Sequence, residues 1–310
     1  MSCAYSVVIP TRDGGERLLE VIAALDAQLE APEIEIVVAD DGSMDGTPAR
    51  LRALSSRWPL RVLTGEPLGP AAARNRAVAA AEGGRVAFLG DDTVPEPGWL
   101  AAHDRAWRQR GAAPELAVIG YTTWHPRIPA SRFLRFLNEE GLQFGFSLIV
   151  DPEAVPFQFF YTSNLSVARE QLLREPFDER FPYPAWEDIE NGYRLCRRGL
   201  RIVYEPRARV LHDHPTDFRR FALRQERAGY CAVVFWQRHP ELGPFLGLSP
   251  AGPPPLAGAR ARRLRDGLVR ALQSVPLVSR ALWSAALRDH YVTGLHRGWR
   301  ERVSTPGGAS

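Results

Sequence analysis

Two apolar strands that run directly into adjacent acidic residues constrain this chain more than any other feature. Residues 86–89 (Val-Ala-Phe-Leu) precede Gly90-Asp91-Asp92, and the apolar residues 34–39 precede Asp40-Asp41. A buried strand that ends in carboxylates places them at the carboxyl edge of an open α/β sheet, where ligands bind. Carboxylate oxygens suit Mg²⁺ or Mn²⁺ bridged to a diphosphate. A solvated turn or a helix cap is the alternative interpretation of such acids.

The segments around these strands alternate between strand and helix patterns. Residues 5–11 are rich in β-branched side chains, and residues 18–25 then repeat apolar side chains at helical spacing. After the strand at 34–39, a helix begins near Pro48, and an alanine-rich helix from Gly69 leads into the next strand. The order β-α-β-α-β predicts parallel strands joined by short crossovers.

Five phrases in a fixed order carry a resemblance to a known family. They are Ser6-Val-Val-Ile-Pro-Thr11, Val38-Ala-Asp-Asp-Gly-Ser-Met-Asp-Gly-Thr47, Ala73-Arg-Asn-Arg-Ala77, Phe88-Leu-Gly-Asp-Asp92 and Trp186-Glu-Asp-Ile-Glu-Asn-Gly-Tyr-Arg-Leu195. As an ordered set, covering about residues 4–215, they resemble glycosyltransferase family 2. The resemblance implies a GT-A fold, a Rossmann-like α/β fold with a mixed, mostly parallel sheet flanked by helices. It also implies inverting transfer of a sugar from a nucleotide-diphosphate sugar to an acceptor hydroxyl.

The resemblance implies roles for residues that end the first two strands. Pro10 and Thr11 would line the nucleotide base, and Asp41 would accept a hydrogen bond from a base N–H. Asp40 is a weaker candidate for that role. An Asx-type turn is the alternative interpretation for Asp40 and Asp45, and we favour it for Asp45.

Three further positions complete the implied donor site. Arg74 would face the nucleotide and its phosphates, where a cation offsets negative charge, and a surface arginine is the alternative. Asp91 would contact the ribose or the donor sugar. Asn164 is a candidate contact to the donor sugar.

By the same resemblance, Asp92 would coordinate Mg²⁺ or Mn²⁺ on the diphosphate. A histidine after the predicted strand near Val210 resembles a second metal ligand of the family, and both His212 and His214 lie on one side of an extended chain. The sequence does not select between them, although we prefer His212, and a structural histidine is the alternative. Many family members carry a further acid where this chain has Gly90. This departure affects the implied role of Asp91 more than that of Asp92.

Asp188 is the predicted catalytic base. An acceptor hydroxyl that attacks opposite the nucleotide needs a base for its proton, and the motif places Asp188 in that role with Glu187 as the alternate. A bound metal ion would neutralise the leaving diphosphate. The acids at 187, 188 and 190 also suit the first turn of a helix, where they complement the macrodipole.

The absence of lysine excludes several other enzyme classes. All 39 of the basic side chains are arginine, whereas a P-loop, a pyridoxal enzyme and a protein kinase each need a lysine. Sugar nucleotidyltransferases typically use lysines as well. The stretch after the first strand, Pro10-Thr-Arg-Asp-Gly-Gly-Glu16, does not match the glycine pattern of a dinucleotide-binding dehydrogenase.

Composition favours a cytoplasmic enzyme. The 3 cysteines show no metal-binding spacing, so we expect reduced thiols. We expect no signal peptide, because the first apolar run is strand-like and lacks a basic leader, and no run approaches the roughly 20 apolar residues that cross a bilayer. A net charge of +3 is too small to indicate nucleic-acid binding.

Four segments are predicted along the chain. They are a GT-A catalytic domain over 1–215 (a nucleotide-binding half to about 95 and an acceptor half over 96–215), a helix over 216–240 packed on that domain, a Pro/Gly-rich linker over 241–259 and a basic amphipathic helical segment over 260–303. The last segment suits peripheral contact with the inner face of the cell membrane, where it would serve a lipid-linked acceptor. A helical cap on the catalytic domain or a homodimer contact is the alternative.

The combined interpretation is a metal-dependent, inverting hexosyltransferase of surface polysaccharide or glycolipid biosynthesis. It would use a nucleotide-diphosphate sugar donor and a glycan or lipid-linked acceptor, without nucleic acid. The alternatives are a noncatalytic sugar-nucleotide or glycan-binding module on the same fold and a sugar nucleotidyltransferase. The latter would release pyrophosphate rather than a nucleoside diphosphate.

Overall fold

The structure is a computed structural model that describes residues 3–272 and 280–303. Residues 273–279, which are part of the predicted segment 260–303, lie outside the described residues. The chain forms two compact units. The sheet unit contains Met1–Pro129, Asn138–Glu179 and Glu187–Pro215, and the helical unit contains Ala130–Leu137, Arg180–Trp186 and Thr216–Ser310.

The secondary structure alternates between strands and helices through the sheet unit. The strands are β1 (Tyr5–Thr11), β2 (Ile34–Asp40), β3 (Leu60–Thr64), β4 (Arg85–Leu89), β5 (Thr93–Pro95), β6 (Leu116–Trp124), β7 (Asn164–Ala168) and β8 (Arg201–His212). The helices are α1 (Gly15–Asp26), α2 (Thr47–Arg52), α3 (Pro70–Ala80), α4 (Trp99–Gln109), α5 (Arg132–Glu139), α6 (Arg169–Arg174), α7 (Glu187–Arg197), α8 (Phe218–Arg238), α9 (Gly243–Leu246), α10 (Ala259–Leu272) and α11 (Arg280–Arg302).

The strands form one sheet of mixed direction, in the order β3-β2-β1-β4-β7-β6-β8-β5. The first four strands in this order are parallel, as are β6 and β8, whereas β7 and β5 run antiparallel to their neighbours. The predicted mixed, mostly parallel sheet is confirmed. The sequence prediction passed over β3, an edge strand whose side chains are only partly buried and whose apolar pattern is correspondingly weak.

Alternate residues of the central strands face two different apolar layers. Val7 and Ile9 of β1 pack in the layer that contains α1, while Val8 packs in the layer that contains α3. Burial on both faces explains why these strands read as continuous apolar runs. Helix α1 covers its side of the sheet with apolar residues at helical spacing, namely Leu18, Val21, Ile22 and Leu25.

A buried polar network joins α4 to β7. The Trp107 indole donates to Ser166 Oγ at 2.8 Å, Ser166 Oγ lies 2.9 Å from His103 Nδ1, and His103 Nε2 lies 3.0 Å from Asn164 Oδ1. Trp99 Nε1 donates to the same Asn164 oxygen at 2.8 Å. The chain of bonds lets these polar groups be buried without losing hydrogen bonds, and it fixes α4 against the sheet.

In the helical unit, α8 and α11 approach closely because glycines lie where they cross. A Cβ at Gly229 would lie 2.0 Å from the Tyr291 carbonyl oxygen, and one at Gly294 would lie 2.0 Å from the Glu226 carbonyl oxygen. Larger side chains would force the two helices apart. Within residues 3–272 and 280–303, no helix combines the length and the apolar character that crossing a bilayer requires.

Replacing His103 with glutamine is expected to remove part of the pH dependence of stability. Burial lowers the pKa of His103 from 6.5 to about 4. Between these values the unfolded chain binds a proton that the folded protein excludes. The stabilisation is therefore present above pH 6.5 and is lost as the pH falls toward 4, by up to about 3 kcal/mol. Urea unfolding at pH 7.5 and pH 4.5 measures this difference.

A matched variant of the same network separates titration from packing. Trp107→Phe removes one hydrogen bond to Ser166 but keeps the imidazole. It should lower the free energy of unfolding at both pH values and retain the pH dependence of the native protein. An unchanged pH dependence in His103→Gln would contradict the assignment.

Candidate active site

The carboxyl ends of β1, β2 and β4 meet at one edge of the sheet. The register places Thr11 beside Asp40, and the backbone N–H of Asp41 donates to the Thr11 carbonyl at 2.8 Å. The Thr11 hydroxyl donates to Asp91 Oδ2 at 2.7 Å. Pro10, one residue earlier in β1, is paired with Ala39 and is partly exposed. The structure therefore brings four of the predicted donor-site residues together.

The acids that follow β2 organise the local backbone. Asp41 is buried, and its carboxylate accepts hydrogen bonds from the Leu68 and Gly69 N–H groups at 2.9 and 3.0 Å, in the loop that leads into α3. Asp40 accepts a hydrogen bond from the Ser43 N–H at 3.2 Å, and Asp45 accepts one from the Thr47 N–H at 2.9 Å. Asp40 and Asp45 therefore act as turn residues, which was the alternative interpretation.

Asp91 and Asp92 are adjacent but have opposite electrostatic surroundings. Burial, reinforced by the charge of Asp92, raises the pKa of Asp91 to about 6. Burial acts in the same direction on Asp92, but the hydrogen bond with His214 and the neighbouring His212 outweigh it and bring the pKa of Asp92 below its ordinary range. At neutral pH, Asp92 is the more strongly ionised of the two.

Glycine at position 14 allows the loop after β1 to cover these groups. A Cβ there would lie 2.4 Å from Thr11 Oγ1 and 3.0 Å from Asp91 Oδ2. A larger residue would displace the hydroxyl that holds Asp91.

Pairing of β5 with β8 brings both predicted histidines to Asp92. The register places Thr93 opposite His212. His212 Nε2 lies 3.4 Å from Asp92 Oδ1, and His214 Nδ1 lies 3.1 Å from Asp92 Oδ2. The geometry does not select one imidazole. Over the described part of the chain, no group of three or more His, Cys, Asp or Glu side chains is arranged to hold a metal ion.

Two aromatic rings flank His212. Its ring centroid lies 5.6 Å from that of Trp124 and 5.2 Å from that of Phe144, and these two rings are 4.9 Å apart. Trp124 and Phe144 lie within residues 121–161, a part of the sequence that is rich in aromatic side chains. The contact shields one side of the imidazole and restricts its orientation.

Arg74 and Glu187 form a buried ion pair. Arg74 Nη1 lies 2.8 Å from Glu187 Oε1, and the guanidinium lies 5.5 Å from the ring centroid of Phe177. Burial raises the pKa of Glu187, and the charge of Arg74 opposes that shift. Arg74 Nε and Glu187 Oε2 are buried and have no hydrogen-bond partner among the described residues. Each atom therefore keeps bonding capacity that a ligand could use.

Asp188 is the second residue of α7 and reaches the same sheet edge. Its Oδ2 accepts a hydrogen bond from the Thr162 N–H at 3.3 Å, and its Oδ1 accepts one from the Ile189 N–H at 2.8 Å. Antiparallel pairing places Leu89, the last residue of β4, opposite Asn164 at the start of β7. Thr162 therefore lies at the edge where Asp91 and Asp92 follow β4. Asp188 is partly exposed, in contrast to the buried Glu187.

Asn164 begins β7 close to this edge, but its side chain is engaged inside the protein. Its oxygen accepts from Trp99 and faces His103, while its amide nitrogen donates to the Tyr121 and Ala208 carbonyls at 3.1 and 2.8 Å. The side chain is fully buried, and these four interactions fill its hydrogen-bonding capacity. Asn164 holds the sheet together beneath the site and has no free group for a sugar.

Arg17 is a site residue that the sequence reasoning missed. It lies in the first turn of α1, and its positive charge acts to lower the pKa of both Asp91 and Asp92. Its place in the sequence could have indicated this, because the helix that follows β1 begins at the same sheet edge as the acids. A cation there also suits a phosphate ligand.

Comparison with known proteins identifies relatives over most of the chain. Residues 6–151 match the sequence profile described as Glycosyl transferase family 2. The chain is 28% identical over 315 residues to the pre-mycofactocin glycosyltransferase of Mycobacterium tuberculosis strain H37Rv, in an alignment that covers 91% of this chain and 63% of that protein. The chain thus spans less than two thirds of the length of this relative.

Two solved structures share the fold at lower sequence identity. Mannosyltransferase PcManGT from Pyrobaculum calidifontis, in complex with GDP-Man and Mn²⁺, matches with a TM-score of 0.62 and 18% identity, over 97% of this chain and 88% of that one. TarS 1–349 from S. aureus, in complex with UDP-GlcNAc, matches with a TM-score of 0.56 and 18% identity, over 96% and 91%. The predicted fold class is confirmed by these likenesses.

Loss of one member of the Arg74–Glu187 pair is expected to cost more stability than loss of both. Arg74→Met or Glu187→Met leaves a buried charge without its partner, which costs about 3–5 kcal/mol, whereas the double variant leaves neither charge. Urea unfolding of the four proteins gives the coupling energy. The exposed pair Arg174–Glu170, at 3.8 Å, is the control and should couple by about 1 kcal/mol or less. Equal coupling in the two pairs would argue against a structural role for the buried one.

Proposed function

We propose that this chain, a member of glycosyltransferase family 2 with the GT-A fold, transfers a sugar from a nucleotide-diphosphate sugar to an acceptor hydroxyl with inversion. The observation that carries the proposal is the pairing of β4 with β7, which brings Thr162, a hydrogen-bond partner of Asp188, toward the edge where Asp91 and Asp92 follow β4. An acid that binds the donor and a base that activates the acceptor must lie at the same place for direct displacement.

The nucleotide would bind over the ends of β1 and β2. Pro10 and Thr11 would line the base, and Asp41 would offer a carboxylate oxygen to a base N–H while it holds the Leu68 and Gly69 amides. The buried Arg74 would face the phosphates with its unpartnered Nε. Asp91, which accepts a hydrogen bond from the Thr11 hydroxyl, would contact the ribose or the sugar.

Asp92 with His212 or His214 would hold a divalent metal ion, Mg²⁺ or Mn²⁺. Asp92 would supply the oxygen ligand, because it stays ionised and carboxylate oxygens suit Mg²⁺ and Mn²⁺, and the imidazole would add one nitrogen ligand. A bound ion would supply positive charge to the diphosphate that leaves. The related PcManGT was solved with GDP-Man and Mn²⁺, which supports a metal-dependent donor site in this chain.

Asp188 would take the proton of the acceptor hydroxyl. Two backbone N–H groups, from Thr162 and Ile189, orient its carboxylate. Glu187, the alternate predicted from the sequence, is a poorer base because it is buried in its pair with Arg74. Attack from the side opposite the nucleotide inverts the anomeric centre.

We place the acceptor among surface glycans, glycolipids and related metabolites. The relative in Mycobacterium tuberculosis is named a pre-mycofactocin glycosyltransferase, and the two similar structures were solved with GDP-Man and with UDP-GlcNAc, so the donor differs among the similar proteins. A noncatalytic binding module would not need the oriented base Asp188. A nucleotidyltransferase would release pyrophosphate, which a product assay distinguishes.

Asp188→Asn is expected to lower turnover by about 10²- to 10⁴-fold, because a general base contributes that factor. Donor binding should change by less than about twofold, since the base acts on the acceptor. Turnover is measured as nucleoside diphosphate released from UDP- and GDP-sugars with a panel of sugar acceptors, and binding is measured by calorimetry.

The control for this variant is Asp151→Asn, an exposed turn acid. It should retain both turnover and donor binding. Full activity in Asp188→Asn, or loss of donor binding equal to the loss of turnover, would overturn the assigned role.

Asp92→Ala is expected to remove the metal dependence of donor binding. Calorimetry with UDP-, GDP-, dTDP- and CDP-sugars should show binding at least about tenfold tighter in Mn²⁺ than in chelator for the native protein, because a bound ion would supply positive charge for the diphosphate. The variant should bind weakly and equally in both buffers.

Two comparisons sharpen this test. Asp188→Asn should keep the metal dependence, while separate His212→Gln and His214→Gln variants identify the imidazole that contributes. If the native protein binds its donor equally well with Mn²⁺ and with chelator, the metal-dependent mechanism is wrong for this chain.

A further inference from the structure

Helix α10 exposes leucine and arginine side chains. Leu264, Leu268 and Leu272 are 64%, 40% and 36% exposed and recur every four residues, so they form one stripe along the helix. Exposed apolar side chains in a stripe mark an interaction surface more often than scattered ones do. Three arginines of the same helix are also exposed: Arg260 lies one turn before Leu264, and Arg263 and Arg270 lie farther around the helix.

A neighbouring face of α10 is anchored within the helical unit. Val269 is fully buried, Arg262 Nη1 donates to Thr293 Oγ1 at 2.9 Å, and Arg265 lies 3.1 Å from Asp289. These contacts with α11 fix the helix rotation, so the leucine stripe faces solvent in this unit.

The only acidic residue of α10 belongs to the anchored side. Asp266 Oδ1 lies 3.3 Å from His290 Nε2, and His290 Nδ1 lies 2.7 Å from Glu226. Asp266 lies one turn before Arg270, so the three exposed arginines of α10 outnumber its single acid, which is paired with His290. Such a face is complementary to a surface that is both apolar and negatively charged.

We propose that this face of α10 docks on the surface of a bilayer that contains anionic lipids. The leucines would enter the headgroup boundary and the arginines would contact the lipid phosphates, as in other basic amphipathic helices. A second copy of the chain is the weaker occupant, because a two-fold contact would place the arginines of one α10 against those of the other. The proposal does not depend on the sugar-transfer reaction, since it uses different residues.

Vesicle co-sedimentation of the full chain tests this proposal. Vesicles of phosphatidylcholine with one third phosphatidylglycerol should bind the native protein, and pure phosphatidylcholine should bind it at least tenfold less. Arg260→Gln, Arg263→Gln and Arg270→Gln together should lower the partition coefficient about 100-fold, because each arginine near an anionic surface contributes about fivefold. Leu264→Ser with Leu268→Ser should lower it as well, with retained helicity by circular dichroism.

The matched control removes three exposed arginines of the sheet unit instead, through Arg52→Gln, Arg108→Gln and Arg174→Gln. The Arg108 and Arg174 side chains are 71% and 66% exposed, and Arg52 is also exposed. Both triple variants remove three positive charges, so the change in net charge is the same. The control should bind vesicles as the native protein does, if the surface of α10 and not the net charge is responsible.

Three outcomes would overturn the proposal. They are equal binding to the two kinds of vesicle, no binding to anionic vesicles at low salt, and equal loss in the control and the α10 variants. A dimer seen by light scattering that the α10 variants dissociate, without an effect on vesicle binding, would assign the face to a second copy. Calorimetric donor binding of the α10 variants should stay native, which separates this test from that of the transferase activity.

Discussion

The parallel pairing of β1 with β2 on one side and β4 on the other is the interaction on which the candidate site depends. Parallel strands end at the same edge, so their register decides which side chains meet there. It sets Thr11 beside the acids after β2 and within hydrogen-bond distance of Asp91. Every other contact of the site is added to this edge, from β5 and β8 for the histidines and from β7 and α7 for the base.

Electrostatic differences between neighbouring acids follow from that arrangement. Burial and the charge of Asp92 raise the pKa of Asp91, whereas at Asp92 the contacts with His214 and His212 outweigh burial and lower the pKa. In the same way Glu187 is buried against Arg74, while Asp188 is held by backbone amides and stays partly exposed. Two pairs of adjacent carboxylates can thus differ in charge and access, which is what separate binding and proton-transfer roles require.

The sequence predicted the parts of this arrangement that local pattern determines. Continuous apolar runs identified β1, β2 and β4 because burial on both faces demands them, and the acids that end these strands marked the edge. The antiparallel insertion of β7 could not be predicted, since it depends on pairing between distant segments. The Arg74–Glu187 pair and the proximity of Arg17 are likewise contacts between distant residues. The internal hydrogen bonds of Asn164 could not be predicted either, because a buried polar side chain and a ligand-binding one have the same signature in a single sequence.

The position of β7 between β4 and β6 also affects how the chain reaches its native state. Leu89 pairs with Asn164, so the edge that holds the base closes only after a long segment has been made and folded. Long-range pairing of this kind slows folding. Until β7 arrives, β4 presents an unpaired edge of apolar residues, which invites pairing with other chains. A fragment that ends soon after the nucleotide-binding half would keep that edge open permanently and would be prone to aggregate.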